Sequence, residues 1–294
     1  MSNTFHLDRA RVRRNFGRAA RSYEQHDALQ QEVQQLLLDR LGFYLETPQR
    51  VLDVGAGTGR GSALLKERYG KAEVIAVDLA VPMLQAAKKH SRWLKPFQRV
   101  CADATALPFP DHSVDVLHSN LCSQWIDDLG ALFGECARVL KPGGLLAFST
   151  FGPDTLKELR AAWASADQQS HVSRFLDMHD VGDALISAGL RDPVLDVDRF
   201  TLTYSSPAML LKELKGLGAT HADTARERHL TGKSHYRRML DAYEAMRVDG
   251  RIPATWEVVT AHAWGPPPGQ SRRGAGGGEI ATFSVDSLRG SRRR

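Results

Sequence analysis

The chain has 294 residues, 42% of them hydrophobic, enough for one substantial core or one domain with an insertion. It has no apolar run of about 18 residues and opens on a polar, arginine-rich stretch, so neither a membrane span nor a secretory signal is expected and a cytoplasmic setting is. The net charge of +5 is uneven: residues 1–21 carry +5 and residues 271–294 carry +4, leaving −4 for the body. Such basic ends suit an acidic protein or nucleic acid, or are simply solvated.

Residues 1–27 read as a basic, partly helical arm. In Ala28–Leu41, Leu29, Val33, Leu36, Leu37 and Leu41 share one helical face, which predicts a helix packed on a sheet. Strands are predicted near Val51–Val54, Val74–Val77, Gln98–Ala102, Val114–Ser119 and Leu145–Thr150, alternating with helices. A further helix is expected at His179–Ala188, and two β-rich stretches, Val194–Tyr204 and Thr255–Trp264, would complete the sheet. The expectation is an α/β fold: a doubly wound, mostly parallel seven-stranded, Rossmann-like sheet over residues 28–204 and 251–265. Residues 205–250 form a helical insertion between the last two strands, placed to fold over the ligand crevice as a lid. Within it Tyr236, Met239, Leu240, Tyr243 and Met246 recur at helical spacing and read as core. Residues 266–294, rich in Pro, Gly and Arg, read as a mostly flexible tail. Cys101, Cys122 and Cys136 lack metal or redox spacing and fall in predicted core elements, so buried, reduced thiols are expected.

The most informative stretch is Val51–Ser62, VLDVGAGTGRGS. An apolar strand breaks into Gly55, Gly57 and Gly59 and a helix follows, a geometry that lets a ligand approach the main chain in front of a helix N-terminus. Asp78 ends the next strand, where a carboxylate accepts from ribose hydroxyls. The spacing is G-x-G-x-G rather than G-x-G-x-x-G, and Asp53 stands two positions before the first glycine. A carboxylate there serves a pyrophosphate poorly and a cationic amino group well. No phosphate-cradling G-x-x-x-x-G-K-[ST] occurs and no His/Asp/Glu cluster has metal-ligand spacing, so no metal is expected.

At this point the chain resembles the class I S-adenosylmethionine-dependent methyltransferases. The resemblance rests on Val51–Ser62, on Cys101–Leu121 and on Arg138–Phe151 with its Pro-Gly-Gly turn. It implies S-adenosylmethionine as donor and S-adenosylhomocysteine as product. Asp53, Gly55 and Gly57 would hold the amino-acid part, Asp78 the ribose, and Asp103 and Ala104 the adenine, with Ala56, Gly59 and Leu79 as further cofactor-binding positions. Asn120 and Leu121 would flank the sulfonium.

The acceptor is less explicit. The N/D-P-P-Y tetrapeptide of amine-methylating nucleic-acid enzymes is missing, and Ser119–Trp125 stands in its place. An acceptor already anionic at neutral pH, such as a carboxylate, needs no base, although His118 or Tyr23 could serve as one. Five segments extend the resemblance almost end to end, to the malonyl-[acyl-carrier protein] O-methyltransferases of biotin synthesis. They are Phe16–Gln30, Ser119–Trp125, Thr150–Arg160, Phe175–Leu190 and Trp256–Pro266. This implies methyl transfer to the free carboxylate of a malonyl thioester on acyl-carrier protein. Tyr23, Asn120, Gln124 and Trp125 are then the candidate catalytic and acceptor-lining residues. Arg13, Arg14, Arg18 and Arg21, with Lys212, Lys215, Arg237 and Arg238 of the insertion, become candidates to dock the acidic carrier. Two other readings are a methyltransferase for a different small acceptor and a basic nucleic-acid-binding module with a cofactor-like fold.

Overall fold

The computed structural model describes residues 6–224 and 231–267, with the backbone of 272–273 and 279–280, so most of the expected C-terminal tail lies outside the described residues. Seven strands form one sheet: β1 (Arg50–Val54), β2 (Glu73–Asp78), β3 (Gln98–Cys101), β4 (Val114–Ser119), β5 (Leu140–Phe151), β6 (Arg191–Tyr204) and β7 (Ile252–Trp264). Their order is β3-β2-β1-β4-β5-β7-β6. The first five are mutually parallel, and β7 runs antiparallel to both β5 and β6.

The alternation of side chains along each strand builds two cores. Leu52, Val54, Leu117, Leu146 and Phe148 face α5 (Leu129–Val139) and α7 (Met178–Ser187), where they meet Phe133, Cys136, Val181 and Leu185. Val51, Val74, Ala76, Val116 and Leu145 face the other way, onto Leu38 of α2 (Ala28–Arg40), Leu65 of α3 (Arg60–Arg68) and Leu84 of α4 (Val81–Ala86). Each wholly buried Leu or Val of this kind contributes roughly 1.5–3 kcal/mol by leaving water. The parallel strands point their C-terminal ends, and the loops that follow them, toward one edge of the fold, which is where a ligand is expected.

Three strands run longer than their apolar runs. β5 begins at Leu140 because Val114 pairs with Leu140 ahead of a register shift, which carries the Pro-Gly-Gly turn into the strand. β6 and β7 each start three residues earlier than expected, at Arg191 and Ile252, held by mutual pairing from Arg191↔Trp264 to Tyr204↔Ile252. The cysteines divide: Cys136 is buried and Cys122 half-buried, whereas Cys101 is exposed. The expectation of three buried thiols is corrected there, because β3 is the edge strand of the sheet and its residues are only thinly covered.

The insertion forms α8 (Pro207–Gly216) and α9 (Lys233–Glu244). They pack with α6 (Lys157–Ala164) and the start of β7 in a third apolar cluster. Met239 and Tyr243 are wholly buried there, whereas Tyr236 of the same stripe is exposed. The segment after α8 also grips the arm. Ser22 Oγ donates to Gly216 O at 2.9 Å, Asn15 Nδ2 to Thr220 Oγ1 at 2.6 Å and Asp8 N to Ala222 O at 2.8 Å. Gly218 makes this approach possible: its φ is +75°, and a Cβ there would stand 3.0 Å from Asn15 O. The arm helix α1 (Arg9–Ala19) is thereby laid beside α4.

Candidate active site

The glycine turn after β1 opens a cavity of about 840 Å³, part of it solvent-facing, at the C-terminal ends of β1, β2 and β4. Gly55 and Gly57 adopt φ values of +74° and +54°, in the left-handed region that glycine enters without strain. A Cβ on Gly57 would meet nothing within 4 Å, so this residue faces open space that a ligand can fill. A Cβ on Gly55 would stand 2.4 Å from Cys122 Sγ, so here glycine serves the packing of the turn against the loop after β4. Gly59, with a φ of +81°, caps α3 and packs on Ala87; it does not line the cavity.

Asp78, at the end of β2, accepts from Gly57 N–H at 2.9 Å and Ala80 N–H at 2.8 Å. Burial pushes its pKa up to about 6; the two backbone hydrogen bonds oppose this, and the neighbouring Asp53 charge adds to it. Leu79, Asp103 and Ala104 line the same cavity. Asp103 Oδ1 accepts from Thr105 N at 2.9 Å and its Oδ2 is ion-paired with Arg9. The expected nucleoside residues are thus brought together on one wall.

Asn120 and Leu121 sit at the corner between β4 and the wall. Asn120 lines both this cavity and its neighbour with its amide engaged, accepting from Ser149 Oγ at 2.8 Å and donating to Gln30 O at 2.9 Å. Leu121 has a φ of +49°, a strained value for a γ-branched residue. Gln124 braces that turn by donating to Leu121 O at 2.7 Å, and it does not reach the cavity. Trp125 does, and packs edge-to-face on Phe16 with ring centroids 5.2 Å apart. Tyr23 lines the cavity too. Burial, followed by the charges of Asp27 and Asp78, raises its pKa well above the ordinary 10, so its hydroxyl stays protonated and is available as a donor.

The open side is roofed by the arm, through Arg9, Val12, Arg13, Phe16 and Tyr23; residues 205–250 contribute none of the described lining. In this structure the insertion acts on the mouth through the arm that it holds. The roof residues Arg9 and Val12 and the wall residue Met83 carry no motif that distinguishes them, whereas Phe16 opens the Phe16–Gln30 segment. Arg9 is one of six arginines in its segment, with no spacing to mark it. Of the candidate docking cations only Arg13 lines the cavity. Arg14, Arg18, Arg21, Lys212, Lys215, Arg237 and Arg238 are exposed, with Arg14 3.9 Å from Asp8 and Arg238 donating to Ala166 O at 2.8 Å.

A second, more polar cavity adjoins the first at Tyr23, Gly55, Gly57 and Asn120. Asp53, Ala56, Gln30, Gln34, Asp27 and Arg60 line it. Asp53 is 2% exposed and already engaged: Oδ1 lies 2.8 Å from His118 Nδ1, and Oδ2 accepts from Ser62 Oγ at 2.5 Å. Gln34 Nε2 lies 2.9 Å from His118 Nε2, and as an amide it can only donate. His118 is held between these two partners inside the core. Gln30 Oε1 and Arg60 Nε are buried without a hydrogen bond. A buried polar atom left so costs about 1–3 kcal/mol unless a ligand or water meets it. The two joined cavities suit an elongated ligand with an apolar-walled nucleoside end and a polar end, as S-adenosylmethionine has.

Comparison with known proteins agrees with this geometry. A family model described as "Methyltransferase domain" matches residues 52–148. Curated malonyl-[acyl-carrier protein] O-methyltransferases are similar over nearly the full length. That of Gallionella capsiferriformans is 46% identical over 93% of this chain and 96% of its own. That of Halorhodospira halophila is 47% identical over 98% and 97%, respectively. Among solved structures, a methyltransferase from Bacillus halodurans superposes with a TM-score of 0.57 at 16% identity, covering 79% of this chain and 99% of its own. A Haemonchus contortus phosphoethanolamine N-methyltransferase in complex with S-adenosyl-L-methionine gives 0.53 at 19%, covering 84% and 57%. These two likenesses carry the fold alone. The identity of the curated relatives, extending through arm and insertion alike, shows that the chain belongs to the malonyl-[acyl-carrier protein] O-methyltransferases, a family of S-adenosylmethionine-dependent methyltransferases.

Proposed function

We propose that this enzyme methylates the free carboxylate of a malonyl thioester carried by acyl-carrier protein. The product is the methyl ester that, as the resemblance implies, primes pimeloyl and hence biotin synthesis. The observation that carries this reading is where the similarity lies. A generic methyltransferase model covers only residues 52–148, whereas the curated relatives match over 93% or more of the chain, arm and insertion included. Those added parts roof the pocket and hold its roof in place.

The chemistry fits the side chains. Bound S-adenosylmethionine supplies an electrophilic methyl group on a sulfonium. A malonyl carboxylate, with an ordinary pKa near 4, is ionised at neutral pH, so the protein has no proton to remove. Accordingly, the two nearby groups capable of acting as a base are not poised to do so: Tyr23 holds its proton and His118 is locked against Asp53 and Gln34. What remains for the protein is alignment and exclusion of water. Phe16, Trp125 and Val12 supply apolar cover, and Tyr23 supplies a hydroxyl donor beside Asn120 and Leu121. A strong cation against the carboxylate would stabilise the reactant and slow attack, so neutral donors serve better.

The exposed cations Arg14, Arg18, Arg21, Lys212, Lys215, Arg237 and Arg238 give the acidic carrier a docking face on the arm and insertion. A cytoplasmic setting belongs to the same reading; among the described residues no helix is long and apolar enough to cross a membrane. The test is transfer of a labelled methyl group to malonyl, succinyl and acetyl carrier protein. Malonyl carrier should be labelled, and acetyl carrier, lacking a free carboxylate, should not. Equal labelling of the acetyl form would refute carboxylate methylation. Reversing charge at Arg14 and Arg18 should raise KM for the carrier-bound substrate and leave a short malonyl thioester unaffected.

A further inference from the structure

The segment from Leu79 to Ala102 carries five Lys or Arg residues and no acid. Within it the chain leaves α4 through a short 3₁₀ turn, Ala87–His90, and doubles back before β3. The loop between them is fastened at its base: Ser91 Oγ accepts from Phe97 N at 3.2 Å, and Phe97 is buried in the core beneath. Lys95 N donates to Arg92 O at 3.1 Å and closes a β-turn whose two central residues are Trp93 and Leu94. Turn centres usually hold Gly, Pro, Asn, Asp or Ser. Here they hold an aromatic and an aliphatic side chain, 93% and 85% exposed. Side chains so exposed add nothing to the packing of the fold, and keeping both in water is unfavourable.

The tip stands at the N-terminal end of β3, away from the C-terminal strand ends that carry the cavity. Arg92 and Lys95 flank it directly, and Lys88 and Arg99 are exposed on either side of the loop. The acids paired with this segment are Glu67, on Arg92, and Glu24, on Lys89 and His90. Among the described residues no ion pair involves Lys88, Lys95 or Arg99.

We propose that Trp93 and Leu94 form a lipid-docking tip, which seats this enzyme reversibly on an anionic membrane surface with its ligand cavity facing away from the bilayer. Charge and shape both select that occupant. Cations around the tip match anionic headgroups, and each one held near such a surface adds to binding. An indole favours the headgroup boundary, where its ring meets apolar chains and its N–H meets the polar layer. A rigid protein partner would have to supply a pocket for this convex tip and bury about 800 Å² on each side. A bilayer accepts the protrusion without a preformed pocket. Two apolar side chains alone anchor weakly, so docking needs tip and cations together. Such contact is peripheral and needs no spanning helix.

The test is sedimentation of the full chain with vesicles of equimolar phosphatidylglycerol and phosphatidylcholine, with pure phosphatidylcholine as the neutral control. Wild type should pellet with the anionic vesicles, stay in solution with the neutral ones, and be released by about 0.5 M salt. Trp93→Ser combined with Leu94→Ser should weaken binding to anionic vesicles about tenfold or more. Its affinity for S-adenosylhomocysteine should stay at the wild-type value, which shows that this tip variant is folded. Lys88→Glu combined with Lys95→Glu should weaken vesicle binding as well. The basic arm also attracts anionic lipid, so insertion of the tip is read separately, with brominated lipid in the same vesicles. This should quench wild-type tryptophan fluorescence, and Trp93→Phe, which keeps an apolar tip, should bind yet lose most of the quenching. Vesicle binding unchanged in the tip variant, or quenching unchanged in Trp93→Phe, would overturn the proposal and assign lipid contact to the basic ends. Wild type that ignores anionic vesicles would overturn it outright. So would self-association in sedimentation velocity that the tip variant abolishes, because a second copy would then cover the tip.

Discussion

Arg9 of the arm is ion-paired with Asp103, which lines one end of the pocket, and it also donates to Thr105 Oγ1 at 3.0 Å. The arm therefore closes over the donor site through a polar latch at one end. The Phe16–Trp125 contact lies further along the same helix. A bound donor would lie beneath this roof, so exchange of donor for product requires the arm to lift.

The latch itself should be weak. Arg9 is 55% exposed and Asp103 29%, and ion pairs so exposed contribute about 0.2–1 kcal/mol. Arg9→Ala should therefore raise the Kd of S-adenosylhomocysteine by no more than about fivefold, mainly through faster release. It should also speed tryptic cleavage within the arm. Calorimetry, stopped-flow release and a proteolysis time course measure the three effects. A loss of a hundredfold or more would mean that Arg9 contacts the donor directly.

Much of the cavity wall formed by Asp78, Leu79, Asp103 and Ala104 is legible in the sequence because each of these residues sits at a fixed place on a βα unit. Asp78 ends β2, and Asp103 follows the end of β3, so the strand pattern alone is enough to locate both. The arm and the second cavity are not legible in this way. Arg9 and Phe16 reach the site on an arm helix held by bonds to the insertion, more than 180 residues further along the chain. Asp53 shows the opposite difficulty. Its motif position suggests a ligand contact and it lines the second cavity, but its hydrogen bonds to His118 and Ser62 carry no sequence signal.

Asp78 predicts how donor binding depends on pH. Burial lifts its pKa to about 6 from an ordinary 3.8, so the folded protein takes up a proton that the unfolded chain has not yet bound. The contribution of Asp78 to stability is thus fully present below pH 4 and is lost as pH rises through 6. Donor binding runs the other way. Ribose hydroxyls donate to the ionised carboxylate, so affinity for S-adenosylhomocysteine should fall below pH 6, by up to tenfold per unit. Asp78→Asn should bind weakly and lose this pH dependence. An unchanged pH profile in that variant would remove Asp78 from the ribose contact.

The thiols predict a graded reactivity. Cys101 is exposed on the edge strand, whereas burial pushes the pKa of both Cys122 and Cys136 up to about 12. Thiolate is the reactive form, so charge state protects the half-buried Cys122, and charge state and cover together protect Cys136. A disulfide reagent at pH 8 should titrate Cys101 quickly in the native protein and the other two only on unfolding. Cys101→Ser should abolish the fast phase without altering donor affinity.

Gly55 and Gly57 look alike in the motif, and the structure separates their purposes. Gly55→Ala places a methyl group 2.4 Å from Cys122 Sγ at a φ of +74°. The left-handed backbone costs an alanine about 1–2 kcal/mol, and the overlap adds about 1–3 kcal/mol. Cys122→Ala offers no relief, because the Cys122 Cβ itself lies 2.5 Å from the new methyl group. Cys122→Gly in the Gly55→Ala background should recover the overlap and leave the backbone term of about 1–2 kcal/mol. Gly57→Ala meets open space, so its stability loss should stop at the backbone term while its methyl group enters the ligand cavity. Denaturant unfolding should therefore single out Gly55→Ala, and calorimetry with S-adenosylhomocysteine should single out Gly57→Ala. The reverse pattern would mean that the ligand approaches the turn at Gly55.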